Sequence, residues 1–263
     1  MEPAETGDIS LTGDISLTIG TDDVATIEIR RPPDNFFDAR LIADLADAYE
    51  SADQSGARAI VLCSEGRHFC AGADFTGRSK AEQITSGPGA LYEQAARLFE
   101  ARLPVVAAVQ GAAVGGGLGL ACSADFRVAG PGSRFSANFA RLSLHQGFAL
   151  TVTLPAILGQ QHAWNLLYTG RRVTGEEAAR IGLADQLADD PRAAAHDLAA
   201  ELAQAGPLAL KAIRATMRRG LAASARAAMD HEAAEQAKLW ATADFAEGVR
   251  AFAERRPPKF EGR

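Results

Sequence analysis

Apolar and polar positions alternate from Val24 to Ile29, and the β-branched residues among them predict a strand. Arg31-Pro-Pro-Asp-Asn35 breaks that pattern. The period then changes: Leu41, Ile42, Leu45 and Tyr49 recur at helical spacing, and Asp38 stands where an N-cap belongs. Residues 59–63 form a short continuous apolar run, the mark of a strand buried on both faces. Residues 64–89 read as a polar, glycine-bearing loop, long enough to be functional. Helical spacing resumes from Tyr92 to about Arg102, Pro104 stops it, and residues 105–109 are the next buried strand. Strands alternating with helices predict an α/β fold with a largely parallel sheet.

From about Leu150 the pattern is almost entirely helical. Thr174-Gly-Glu-Glu177 is a capping box, and residues 194–205, 208–219 and 222–253 keep helical periodicity, interrupted at Gly206-Pro207 and Gly220. The chain therefore divides into an extension (1–17), a core (18–200) and a helical region suited to association (201–263). The extension holds the hexapeptide Thr-Gly-Asp-Ile-Ser-Leu twice, at 6–11 and 12–17. Two copies are too few for a solenoid. Either copy suits the same edge strand, so one register is expected to be native and the other copy to hang free.

Composition narrows the function classes. Of 263 residues 47% are apolar and 23% charged, which suits a packed soluble domain. The net charge of −6, without a basic run, argues against broad nucleic-acid binding. No apolar stretch approaches the roughly 20 residues of a membrane span, and the polar, acidic start does not read as a signal peptide. Cys63, Cys70 and Cys122 form no CxxC pair and the five histidines are scattered, so no metal site is expected and reduced thiols of a cytoplasmic protein are.

The segment Gly111-Ala-Ala-Val-Gly-Gly-Gly-Leu-Gly-Leu-Ala121 changes the picture most. Gly115, Gly116 and Gly117 leave main-chain N–H groups uncovered. A helix beginning there adds the positive end of its dipole, so the turn can hold negative charge on an oxygen. It carries no Lys-Ser/Thr and is not a Gly-x-Gly-x-x-Gly on an early strand, so neither nucleotide-binding template fits. Glycines at such a turn also serve close packing alone.

Further segments join it: Arg31-Pro-Pro-Asp-Asn-Phe-Phe-Asp38, Gly66-Arg-His-Phe-Cys-Ala-Gly-Ala-Asp-Phe75, Cys122-Ser-Ala-Asp-Phe-Arg-Val-Ala129, Thr169-Gly-Arg-Arg-Val-Thr-Gly-Glu-Glu-Ala178 and the tail 248–260. In this order, over nearly the whole chain after Leu17, they resemble the enoyl-CoA hydratase/isomerase (crotonase) superfamily. The resemblance implies a crotonase-like spiral of ββα units with a C-terminal helical trimerisation region. It implies a homotrimer or dimer of trimers, and an acyl-CoA thioester as substrate, with coenzyme A part of that substrate and no further cofactor. It carries the two thioester-binding N–H groups onto Ala73 and Gly116. It also implies substrate contacts at Phe36, Ala71, Asp74, Phe75, Gly115, Phe139, Phe148, Lys259 and Phe260; Asp74 suits a turn cap as well.

The chain departs from the family at its acid–base positions. Hydratases there use one glutamate two residues after the glycine triplet and another twenty positions on; here these are Gly119 and Phe139. Neither can orient water or carry a proton. Other members use an aspartate in the next loop, at about Gly147 here. Leu142-Ser-Leu-His-Gln-Gly-Phe148 offers His145 instead, which suits an acid, a base or a nucleophile, or simply a bond to neighbouring backbone. Tyr92 and Glu93 are weaker candidates, and His68, His162 and His231 read as structural or surface residues. The expectation is an acyl-CoA enzyme that stabilises a thioester enolate or oxyanion without standard hydration. The alternatives are a non-catalytic CoA-thioester-binding protein, or a hydrolase or decarboxylase using His145.

Overall fold

The computed structural model describes residues 8–73 and 89–263. Its strands are β1 (Asp8–Thr12), β2 (Ile15–Ile19), β3 (Val24–Ile29), β4 (Ala59–Ser64), β5 (Val105–Val109), β6 (Ala112–Val114), β7 (Phe126–Ala129), β8 (Arg134–Ser136), β9 (Arg172–Thr174) and β10 (Gln186–Leu187). The described helices are α1 (Ala39–Gln54), α2 (Gly89–Phe99), α3 (Gly116–Ser123), α4 (Leu150–Leu158), α5 (Gln160–Thr169), α6 (Gly175–Ile181), α7 (Pro191–Ala203), α8 (Pro207–Met217), α9 (Leu221–Trp240) and α10 (Ala243–Ala253). A 3₁₀ turn spans Asn138–Leu142.

The larger sheet runs β1-β2-β3-β4-β5-β7-β10, parallel from β3 onward, and a smaller one runs β6-β8-β9. Alternation along β4 and β5 explains how the larger sheet is buried on both faces. Ile60, Leu62, Val105, Ala107 and Val109 join α1 and α2 in the main core. Val61, Cys63, Val106 and Ala108 face Ala195, Ala199 and Ala203 of α7 on the other side. Asp38 caps α1, its Oδ1 accepting from Leu41 N at 2.8 Å. The Thr174 hydroxyl accepts from Glu177 N at the start of α6. Among the described residues no helix is long and apolar enough to cross a membrane.

Three expectations are corrected. Both hexapeptide copies supply strands: β1 and β2 form an antiparallel hairpin with Ile9 opposite Leu17, and β2 pairs in turn with β3, placing Leu17 opposite Ile27. Gly13 and Asp14 lie at the turn, so the first copy adds at the edge and does not hang free. The periodic stretch 222–253 is two helices, because the Thr242 hydroxyl accepts from Phe245 N and opens a new N-terminus. The predicted helix after the long loop begins earlier, at Gly89, and ends at Phe99. Helix α9 lies against both α2 and α4, which brings the C-terminal helices to the loop 143–149.

Candidate active site

Two peptide units define the site. Phe37 N donates to Gly72 O at 3.0 Å, so the 72–73 peptide turns its carbonyl toward the Phe37 main chain. A trans peptide points its N–H the opposite way, so Ala73 N–H faces away from that strand. In the second unit Gly115 O accepts from Leu118 N (3.1 Å) and Gly119 N (3.2 Å) and is turned into α3. Gly116 is the first residue of α3, and its N–H therefore leaves the helix N-terminus outward. Among the described residues neither N–H has an acceptor in the turns and loops.

Close backbone packing brings the two units together. Cys70 N donates to Ala112 O and Cys70 O accepts from Val114 N, pairing the two segments. Gly72, at φ +97°, would put a Cβ 2.8 Å from Val114 O and 3.7 Å from Gly116 N. Any side chain there would enter the space between the units. A Cβ on Gly117 would strike the Cys70 carbonyl, 2.8 Å from its carbon. Gly115, at φ +58°, donates its N–H to Ser136 O and fixes the turn. Phe37 joins both units: its backbone holds Gly72 while its ring lies on Gly116, 3.0 Å at Cε1 from the place of a Cβ. Its neighbour Phe36 is half-buried.

The other wall comes from the loop 143–149. A Cβ on Gly119 would lie 2.9 Å from both Cγ and O of Phe148, so the root of that phenylalanine fills the space of a side chain at 119. Phe148 is 1% exposed, has φ +59°, and its ring centroid is 5.5 Å from that of Phe37. Phe139 is also buried, its Cζ 3.8 Å from where a Gly115 Cβ would be. Gly147 leaves room for the Tyr92 hydroxyl, which donates to Gln236 Oε1 at 3.0 Å. Gln236 Nε2 donates to His145 O at 3.0 Å.

His145 is half-buried, with Nδ1 2.8 Å from Gln146 O and its ring edge-on to that of His231 at 5.9 Å. A carbonyl only accepts, so Nδ1 is the donor in this contact, which leaves Nε2 as the acceptor of the neutral ring. No hydrogen bond or ring contact ties His145 to Ala73 or Gly116 among the described residues. Burial pushes the Tyr92 hydroxyl above its ordinary value and the Cys70 thiol up to about 12, so neither is ionised at neutral pH. Glu93 is exposed on α2. His68 is structural: its Nδ1 accepts from Ala112 N at 3.1 Å.

Ala71 sits beside the first unit, its N–H donating to Asp34 O. Asp74 and Phe75 lie outside the described residues. Phe260 helps line a cavity of about 780 Å³ with Val114, Ser136, Asn138 and Phe252. Lys259 is exposed, and its N–H donates to Glu247 Oε1 at 3.0 Å. Sequence reasoning missed Glu232 entirely. This carboxylate of α9 accepts from Ala149 N (2.9 Å), Thr151 N (3.0 Å) and Thr151 Oγ1 (2.6 Å). The polar face of a long helix gives no sign of which carboxylate turns inward.

Two main-chain N–H groups, one of them opening a glycine-rich helix, are thus left without an acceptor in the turns and loops among the described residues. Residues 20–263 match the model of the enoyl-CoA hydratase/isomerase family, and the chain belongs to that family. It is 35% identical over 245 residues to a probable enoyl-CoA hydratase of Rhodobacter capsulatus, covering 91% of this chain and 95% of that one. It is 37% identical over 220 residues to a probable enoyl-CoA hydratase of Mycobacterium tuberculosis, covering 82% of this chain and 86% of that one. The crystal structure of an enoyl-CoA hydratase/isomerase from Pseudoalteromonas atlantica superposes with a TM-score of 0.83 at 29% identity, covering 94% of this chain and all of that one. The fold is thus the crotonase fold, and the family is enzymatic.

Proposed function

We propose that the protein binds an acyl-CoA thioester and stabilises its enolate or tetrahedral oxyanion with the N–H groups of Ala73 and Gly116, without the two glutamates of standard hydration. The observation that supports this is the fixed orientation of two neighbouring peptides: Gly72 O is held by Phe37 N and Gly115 O by α3, and a Cβ on Gly72 would lie 3.7 Å from Gly116 N. Proton removal beside a thioester, or attack on it, places negative charge on the thioester oxygen. Fixed donors and the α3 dipole stabilise that charge at no cost in reorganisation. Loss of one such donor elsewhere costs about 3–4 kcal/mol.

The other half of a hydration site is filled. Gly119 has neither a carboxylate nor space for one beside Phe148, and Phe139 presents a ring where the second carboxylate of hydratases would stand. A water molecule added across a double bond needs an acceptor and a donor, and these phenyl groups are neither. The acyl group is thus met by apolar surface from Phe37, Phe139 and Phe148. His145 supplies the proton transfer in this reading; its free Nε2 lone pair supports the role. Homotrimeric assembly, with Lys259 and Phe260 of the tail near the CoA moiety, completes the proposal.

The test is a panel of acyl-CoA thioesters incubated with purified protein, with products read by mass. Turnover of a thioester by proton transfer, cleavage or hydrolysis is the expected result. Crotonyl-CoA hydration with kcat in the hundreds per second, roughly the upper part of the usual enzyme range, would overturn it.

A further inference from the structure

Glu232 is 0% exposed and has no cationic partner among its hydrogen bonds; all three come from the first turn of α4. Ala149 and Thr151 cannot satisfy these N–H groups within α4, because the first turn of a helix has no carbonyls to offer them. The carboxylate therefore serves as an N-cap delivered from a helix more than eighty residues away in sequence.

What it holds is a strained pair. Phe148 and Ala149 are consecutive non-glycine residues at φ +59°. A left-handed residue of this kind is strained and persists only where its surroundings fix it. The conformation turns Phe148 so that its root fills the space over Gly119 and its ring meets Phe37. Phe37 in turn rests on Gly116 and holds the 72–73 peptide. A continuous packed path thus runs from Glu232 through Ala149, Phe148 and Phe37 to both N–H donors.

We infer that Glu232 is a positioning residue for the thioester-binding donors: it locks the Phe148–Phe37 contact that sets the Gly116 and Ala73 amides against the carbonyl. The inference rests on the proposed oxyanion role of those amides. Gln236, one turn further along α9, and Tyr92 of α2 hold the same loop at His145 O and Gly147.

The carbonyl stretch of a ¹³C-labelled acyl-CoA bound to the protein, together with kcat and KM for the thioester it turns over, tests this. The wild-type protein shifts the stretch to lower frequency, as two donors on the oxygen require. Glu232→Gln places an amide N–H₂ against one of the two backbone donors. It is expected to lose much of the red shift and about 10- to 100-fold in kcat, the range for an ångström-scale misplacement, with KM within about threefold. Phe148→Leu, which removes the ring contact and leaves the cap, is expected to show the same split. It carries the test should the Glu232 variant fold poorly. A folded Glu232→Gln protein with the full red shift and wild-type kcat overturns the inference alone. A wild-type protein that binds acyl-CoA with no red shift overturns the oxyanion reading and the positioning role with it.

Discussion

At the 72–73 and 115–116 peptides the groups facing the site belong to the main chain, and their aim is set by hydrogen bonds between neighbouring segments. The loop over residues 143–149 is different: its shape depends on Glu232, Gln236 and Tyr92, which reach it from α9 and α2. The first half tolerates little because added atoms have nowhere to go: a Cβ at Gly72 or Gly117 would meet a carbonyl group at 2.8 Å. In the second half the groups nearest Gly119 and Gly115 are side chains, Phe148 and Phe139. On the proposed reading, main-chain donors bind the thioester oxygen and the side chains around them set the reaction.

The largest effect tests the side-chain half. Hydration of crotonyl-CoA should fall far below that of a relative with both glutamates, by on the order of 10²–10⁴-fold for each missing group. Gly119→Glu alone should not restore it. The new side chain meets Phe148 and should cost about 1–3 kcal/mol, read as a lower Tm. A single Gly119→Glu protein that melts like wild type would show that the two halves are not sterically interlocked.

Next comes the main-chain half. Gly116→Ala and Gly116→Pro both add a Cβ against the Phe37 ring, but only proline removes the N–H. Proline is compatible with the first position of α3. Gly116→Pro is expected to turn over thioester about 10²–10³-fold more slowly than Gly116→Ala. Equal rates in the two folded variants would remove Gly116 N–H from the mechanism.

A smaller effect is expected at His145. His145→Gln should lower kcat at least about tenfold while acyl-CoA binding is retained. Unchanged kcat and an unchanged pH–rate profile would pass the proton role to a group on the substrate.

The smallest effect is in stability against pH, where two buried-end carboxylates act in opposite senses. Arg256, Arg250 and Lys259 N–H hold Glu247 well below its ordinary 4.5. Its contribution is present above that value and fades as pH falls below it. Burial raises Glu232 above 4.5 despite the bonds from Thr151 and Ala149. The folded protein then holds a proton that the unfolded chain has released, so stability declines as pH rises from 4.5 through the raised value. Chemical denaturation across pH should show a flatter acid limb in Glu247→Gln. Glu232→Gln should remove the decline above 4.5; both slopes unchanged would refute the assignment.

Legibility in the sequence followed the same divide. The glycine triplet could be read because a main-chain requirement leaves a residue-type signature: Gly115 has positive φ, Gly117 abuts Cys70, and the helix does start at Gly116. Asp38 and Thr174 were legible for a like reason, since a cap is a local interaction between near neighbours. Glu232 was not, because its partners lie 81 and 83 positions away and its helix face looks polar throughout. Phe36 and Phe37 are adjacent rings, and only the structure shows that it is Phe37 that is buried against Gly116. The break at Thr242 was hidden by alanines that suit a helix on either side.

The β1–β2 hairpin has a consequence of its own. Ile9 and Leu11 stand in the first copy where Ile15 and Leu17 stand in the second, and only the second is locked against β3. Deleting residues 6–11 leaves every β2–β3 partner in place, since all of those residues lie beyond the cut. The matched family region begins only at residue 20, so no part of it is touched. The first copy of the hexapeptide is thus an addition at the sheet edge, outside both the β2–β3 ladder and the matched family region.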